Sequence, residues 1–145
     1  MRREGISFDE MDAVLNRESG VLGVSGLSAD MRDVLAAADA GNEQARLAID
    51  MYVYRVQKAI GGFYAAMTRT DAVVMTAGIG ENSAEMRLGV AKELEWLGVK
   101  IDEKANEVRS DEPRVISTDD SKVKVLVVPT NEELMIALDV EALLG

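Results

Sequence analysis

Residues 71–85 read DAVVMTAGIGENSAE, and the rest of the chain can be placed around that run. Residues 72–76 are apolar or β-branched, the pattern of a buried strand. Gly78-Ile79-Gly80 supplies a sharp turn, because glycine lets the backbone bend tightly and keeps side chains out of a ligand's way. Glu81-Asn82-Ser83 then leads into a helix predicted over residues 83–97, with Met86, Val90, Leu94 and Leu97 on its buried face and Gly98 as its stop. In α/β proteins a strand, a glycine turn and a helix in that order make a nucleotide or phosphate site, the helix start offering unpaired N–H groups to an anion. Neither GxGxxG nor a Walker loop is present. Spacing alone leaves two readings open: ligand contact, or a plain tight strand-to-helix turn.

A second apolar strand is predicted at residues 123–128. Pro129 ends it, and Thr130-Asn131-Glu132-Glu133 reads as a capping box opening a closing helix with Leu134, Ile136, Ala137, Leu138 and Leu143. Two such strands, each running into a helix start, predict a doubly covered α/β layer, a pattern compatible with both turns along one sheet edge but not requiring it. Between them the sequence offers a short strand at 99–101, a turn or short helix at 102–106 and a brief strand at 114–117.

Toward the N-terminus, Ser7-Phe8-Asp9-Glu10 is another capping box, opening a helix with Phe8, Met11, Val14 and Leu15 on one face. Residues 16–27 are rich in glycine and serine and read as a folded loop. Ser28 is the expected cap of a helix over residues 30–38, with Asp30 in its favourable first turn. Gly41 closes that helix and Asn42 caps a long one, residues 43–68, with Ala45, Ile49, Tyr52, Val53, Val56, Ile60, Phe63 and Met67 at helical spacing. Gly61-Gly62 interrupts it at a cost of about 1 kcal/mol per glycine, for which close helix–sheet packing is the expected reason.

The chain has 145 residues, enough for one domain with a sizeable core. Its formal net charge of -10 argues against a nucleic-acid partner. It contains no cysteine and no histidine, which excludes disulfides, thiolate metal sites and any histidine base or ligand within these residues. No apolar run is long enough for a membrane span, and MRREGISF lacks a signal-peptide core, so a cytoplasmic protein is expected.

TAGIGENS after an apolar strand resembles the acetate kinase family. Residues 16–23, NRESGVLG, resemble its LNxxSGxLG stretch, and residues 26–33, GLSADMRD, resemble its SGxSxDxRD stretch. DSKVKVLVVPTNEELMI, residues 120–136, looks like the family's last strand and entry into its closing helix. The resemblance implies an actin-like sugar and acetate kinase fold, in which residues 1–145 are the C-terminal, nucleotide-side segment and the N-terminal catalytic and acceptor-binding region is absent. It implies reversible ATP-dependent phosphorylation of acetate to acetyl phosphate, with ATP or ADP and Mg2+ as cofactors and acetate or acetyl phosphate reached through the missing region. Butyrate or another short-chain carboxylate as acceptor, or a non-catalytic nucleotide- or partner-binding module, are the alternatives.

By the same resemblance Asp30, Met31 and Arg32 lie at the adenosine, Gly78, Ile79 and Gly80 lie along the nucleotide, Asn82 adds a hydrogen bond, and Glu132 belongs to the magnesium site. Chemically, Arg32 can lay its guanidinium over a base, and Asp30 can accept from ribose or orient Arg32. No catalytic residue is assigned, because the family's phosphoryl clamp lies earlier in its chain. The isolated chain is therefore expected to be inactive, and to self-associate or to pair with a complementary N-terminal region. Ala137-Leu138-Asp139 stands where the resemblance would place an arginine.

Overall fold

The computed structural model describes residues 5–145, which divide into two compact units, the first ending at Ala59 and the second being Ile60–Gly145. The first unit is helical. Helix α1 (Phe8–Asn16) has the predicted capping box: Ser7 Oγ accepts from the Glu10 amide at 3.2 Å, and Glu10 Oε2 accepts from the Ser7 amide at 2.8 Å. Its apolar face is largely uncovered, with Phe8, Val14 and Leu15 exposed.

The loop expected at residues 16–27 instead contains helix α2 (Gly20–Ser25), which ends on Gly26 in the left-handed conformation at φ 64°. Valine and leucine at Val21, Leu22 and Val24 sustain one and a half turns despite the glycines. Helix α3 (Met31–Asp39) is capped by Asp30 and not by Ser28. Ser28 is drawn elsewhere: its hydroxyl accepts from the Asp30 amide and donates to Asp33 Oδ2. Asn42 caps α4 (Glu43–Ala66) as predicted, Oδ1 accepting from the Ala45 amide. The unit's core is Met31, Val34 and Ala38 of α3 with Ala45, Ala48 and Ile49 of α4.

Helix α4 runs through Gly61 and Gly62 without a break. The expected close packing is not what explains these glycines. A Cβ on Gly62 would meet nothing within 4 Å, and one on Gly61 only a Trp96 ring carbon at 3.9 Å. The structure gives no reason for the pair. The far end of the predicted face is open too, Phe63 and Met67 being exposed.

The second unit is built on a three-stranded mixed sheet in the order β1-β3-β2, with β1 (Ala72–Met75), β2 (Arg114–Val115) and β3 (Lys124–Val127). Strands β1 and β3 are parallel, with Ala72 opposite Lys124 and Met75 opposite Val127; β2 runs antiparallel to β3. Around them lie α5 (Ala77–Asn82), α6 (Ala84–Lys92), a 3-10 turn (Glu95–Leu97), α7 (Glu103–Glu107) and α8 (Glu132–Leu144). The predicted strand at 99–101 reduces to a single bridge between Ile101 and Ser117. The helix expected over 83–97 breaks after Lys92 because Leu94 and Leu97 donate to carbonyls three residues back, Ala91 and Leu94.

Paired residues share a sheet face, so the register sorts the strands into two surfaces. Val125 and Val127, with Val73 and Met75 opposite them, face the core formed with Met86, Val90, Leu94, Leu97 and Ile116. On the other surface Ala72, Val74 and Val115 are exposed. Two expectations are corrected here. Residues 72–76 are not a buried strand, because Ala72 and Val74 lie on a sheet face left uncovered by the described residues, and β1 is also paired on one side only. Among the described residues the layer is covered on one face, not two. Helix α8 adds no cover, since none of its residues is buried.

Candidate functional site

Because β1 and β3 are parallel, both carboxyl ends emerge at one edge of the sheet, the usual place for a ligand in an α/β fold. Two bonds lock them there: the Val128 amide donates to the Met75 carbonyl at 3.0 Å, and Thr76 Oγ1 donates to the Val128 carbonyl at 2.8 Å. The predicted glycine turn is a six-residue helix, α5, that contains both glycines. The left-handed turn into it is taken by Ala77, at φ 58°, a conformation that costs a non-glycine residue about 1–2 kcal/mol.

Glu81 and Arg87 hold this turn. Glu81 Oε1 accepts from the Ala77 amide at 2.8 Å, and also from the Thr130 amide at 2.8 Å and Thr130 Oγ1 at 2.9 Å. The two Thr130 donors, with smaller help from Ala77 and Thr76, hold the Glu81 carboxyl below its ordinary range. Arg87 is a buried cation that forms no ion pair among the described residues. Its Nη1 donates to the carbonyls of Gly80 at 3.1 Å and Glu81 at 2.7 Å, and its Nε and Nη2 donate to Asn106 Oδ1 at 2.8 Å and the Asn106 carbonyl at 2.5 Å. Asn106 Nδ2 in turn donates to the Ala84 carbonyl at 2.8 Å. Burial first, and then the Arg114 charge, lower the Arg87 pKa.

The residues singled out from sequence divide between the units. Gly78 is open, with nothing within 4 Å of a built Cβ, whereas a Cβ on Gly80 would lie 3.1 Å from the Met75 carbonyl carbon. Gly80 is thus required by packing against β1, and Gly78 leaves space. Ile79 is half-buried between them. Asn82 is exposed and its Nδ2 folds back to the Gly78 carbonyl at 3.0 Å. Glu132 is exposed at the first position of α8. The second capping box is not formed: Asn131 is the cap, accepting from the Leu134 amide at 2.9 Å, while Thr130 is committed to Glu81.

Asp30, Met31 and Arg32 belong to the first unit. Met31 is core, so only its backbone is available to a ligand. Asp30 Oδ1 accepts from the Arg32 amide at 2.9 Å and from Arg32 Nε at 3.0 Å, and Oδ2 accepts from Arg32 Nη2 at 2.5 Å. The carboxylate therefore orients a guanidinium whose side chain is 89% exposed. The bonds from the Arg32 side chain, and then from its amide, lower the Asp30 pKa from the ordinary 3.8 to about 2. This interaction stabilises the fold above the ordinary value and is lost as pH falls toward about 2. In a carboxyl NMR titration, Arg32→Ala is expected to raise the Asp30 midpoint part of the way back, since the cap bond remains. An unchanged midpoint would remove the ion pair from the account.

Residues 1–138 match the model of the Acetokinase family. The chain belongs to that family. The acetate kinase of Natranaerobius thermophilus is 51% identical over 145 residues, covering 100% of this chain and 36% of its own length. That of Methanosarcina acetivorans is 52% identical over 139 residues, 96% of this chain and 34% of its own. Among solved structures, the acetate kinase of Porphyromonas gingivalis superposes with a TM-score of 0.89 at 44% identity, over 100% of this chain and 36% of that one. A propionate kinase from Francisella tularensis gives 0.84 at 38% identity, over 94% and 34%. This acetokinase-family chain therefore spans about a third of the length of the curated relatives it matches, and it has the mixed α/β architecture of that part of the acetate and sugar kinase fold.

Sequence reasoning missed the residues that hold the site together. Glu81 stood inside the quoted run but was read as a helix start. Arg87 gave only one signal, a charge at a position flanked by the core residues Met86 and Val90. Asn106 gave none.

Proposed function

We propose that this chain supplies the nucleotide side of an ATP-dependent kinase that reversibly phosphorylates acetate to acetyl phosphate, residues 1–145 being its C-terminal segment. The observation that carries the reading is the strand edge: two parallel strands end together, one followed by the open Gly78 and the other by Glu132. In this reading Asp30 orients Arg32 over the adenosine and Met31 contributes backbone. Gly78-Ile79-Gly80 runs along the nucleotide, with Gly80 fixing the turn and Gly78 leaving room, and Asn82 offers its amide oxygen. Phosphoryl transfer depends on such positioning and on charge stabilisation.

Magnesium takes carboxylate, phosphate and water oxygens in an octahedron, often with only one or two protein carboxylates. Glu132 fits one of those places, being an exposed carboxylate at the same edge. Glu81 is committed elsewhere through Oε1, which accepts from three donors that join the two turns. Among the described residues no three acids gather as a metal cluster, so the remaining coordination comes from phosphate, water and the rest of the longer kinase. When bound, the ion neutralises phosphate charge.

Acetate kinases and a propionate kinase both align with these residues, which leaves the acceptor's chain length open. Butyrate and other short carboxylates stay as alternatives for the acceptor. The protein is cytoplasmic in this reading; among the described residues no helix is long and apolar enough to cross a membrane. The exposed residues Leu134, Ile136, Leu143 and Leu144 of α8 support a role in docking the complementary kinase region or a second copy.

Calorimetry with ADP tests the nucleotide reading. Asn82→Ala is expected to weaken ADP binding about tenfold while changing stability by less than about 1 kcal/mol, its one intramolecular bond being exposed. Equal ADP affinity in both proteins would overturn the role given to Asn82. Adding the N-terminal portion of a relative should then restore acetate-dependent ADP formation; no turnover with acetate, propionate or butyrate would favour a non-catalytic module.

A further inference from the structure

Resting on the nucleotide reading above, we infer that Glu81 is a positioning residue: it joins the turn after β1 to the turn after β3, and so fixes Glu132 relative to the bound phosphates. The geometry is a three-way junction on one oxygen. Glu81 Oε1 reaches its own helix start at the Ala77 amide, and reaches across the sheet edge to both the amide and the hydroxyl of Thr130, forty-nine residues away in sequence. Thr130 is two residues before Glu132, with only the cap residue Asn131 between them. Below this junction the strands are already tied by Val128 to Met75 and by Thr76 to Val128. Above it, among the described residues, no other hydrogen bond links the two turns.

Two features of the molecule make such a tie necessary. Ala77 is in a left-handed conformation, and the Glu81 carboxylate holds its amide in place. Helix α8 buries none of its residues, so its start is not positioned by side-chain packing within this chain. Its direction is set where it leaves the sheet, at Thr130 and the Asn131 cap. A small rotation there swings the first-turn Glu132. Charge-assisted bonds from a carboxylate to backbone amides are strong enough to resist that rotation.

The test compares Glu81→Ala, Glu81→Gln and Thr130→Val in the 145-residue chain. ADP affinity is measured by NMR titration with and without Mg2+, and the gain that Mg2+ confers is the readout. Glu81→Gln keeps an acceptor oxygen in place and should preserve that gain within about threefold. Glu81→Ala removes the junction and should reduce the gain about tenfold, while Mg2+-free ADP affinity falls much less. Thr130→Val should lie between them. A ligand-free arm follows the amide resonances of residues 131–134. Glu81→Ala should shift them and Glu81→Gln should shift them much less; native resonances in Glu81→Ala would overturn the positioning role.

The outcomes separate. If the native chain does not bind ADP at all, the nucleotide reading falls and the positioning role with it. If it binds ADP and Glu81→Ala retains the full Mg2+ gain, the nucleotide reading stands and the positioning role is overturned. If Glu81→Gln loses as much as Glu81→Ala, the negative charge itself acts on the metal and positioning is again overturned. Equal losses with and without Mg2+ in Glu81→Ala would reduce Glu81 to a structural residue.

Discussion

Arg87→Ala should destabilise the second unit by about 3–5 kcal/mol, a large part of the ~5–15 kcal/mol that holds a typical domain together. The guanidinium is buried and, among the described residues, its charge meets no carboxylate and is compensated by four acceptors. Two of these are the Gly80 and Glu81 carbonyls near the end of α5, groups that a short helix leaves without partners of its own. The other two belong to Asn106 on α7. Truncation leaves all four acceptors facing a cavity, each with a desolvation cost of about 1–3 kcal/mol that entering water offsets in part. Arg87→Lys should recover little, since an ammonium cannot reproduce the planar fork that serves Gly80, Glu81 and Asn106 together. Asn106→Ala should cost less, about 2 kcal/mol, and the double variant should fall short of the sum because the two residues share their bonds. Urea unfolding of the native chain and the four variants decides the matter. A loss below about 1 kcal/mol in Arg87→Ala would mean that water replaces the guanidinium and that α5 does not depend on it.

Local signals were readable from the sequence, and signals completed across the fold were not. The Ser7 box and the Asn42 cap were legible because donor and acceptor lie within three residues of each other. Thr130-Asn131-Glu132-Glu133 had the same appearance, yet Asn131 took the cap because Glu81 claims Thr130 from a distant part of the chain. Gly78-Ile79-Gly80 read as a turn because two glycines disfavour helix; Arg87, seven residues beyond Gly80, supplies the bond that lets α5 form. The strand at residues 72–76 was placed correctly, but its burial was inferred from composition. Composition cannot reveal that β1 sits at an edge with Val74 52% exposed. At the candidate site, the family resemblance nominated the residues: Arg32, Gly78, Asn82 and Glu132 lie at exposed positions and Asp30 is half-buried. It gave no means of separating Gly78 from Gly80, whose roles differ because only one of them faces a strand backbone.

That difference gives the second large effect. Gly80→Val should destabilise the chain by about 3 kcal/mol, while Gly78→Ala should leave stability unchanged or raise it by up to about 1 kcal/mol. Neither glycine has a positive φ, so the backbone accepts a side chain at both positions and space decides. At Gly80 the new Cβ meets the Met75 carbonyl carbon at 3.1 Å and the Met75 Cα at 3.4 Å. These are strand atoms and cannot rotate away as a side chain would. Relief requires α5 to lift off β1, which pulls on the Met75 carbonyl's bond from Val128 and on the Arg87 bond to Gly80. The two methyls of valine add to the crowding that Cβ begins. At Gly78 a methyl meets nothing within 4 Å, and alanine is the better helix former. If the nucleotide runs over Gly78, the same methyl stands in its path, so Gly78→Ala should lose ADP affinity without losing stability. Gly80→Val should lose both, and thermal melts paired with ADP titrations distinguish the two patterns. A Gly80→Val protein that melts with the native chain would show that α5 is not seated on β1 in solution. A stable Gly78→Ala protein with native ADP affinity would move the nucleotide off this turn.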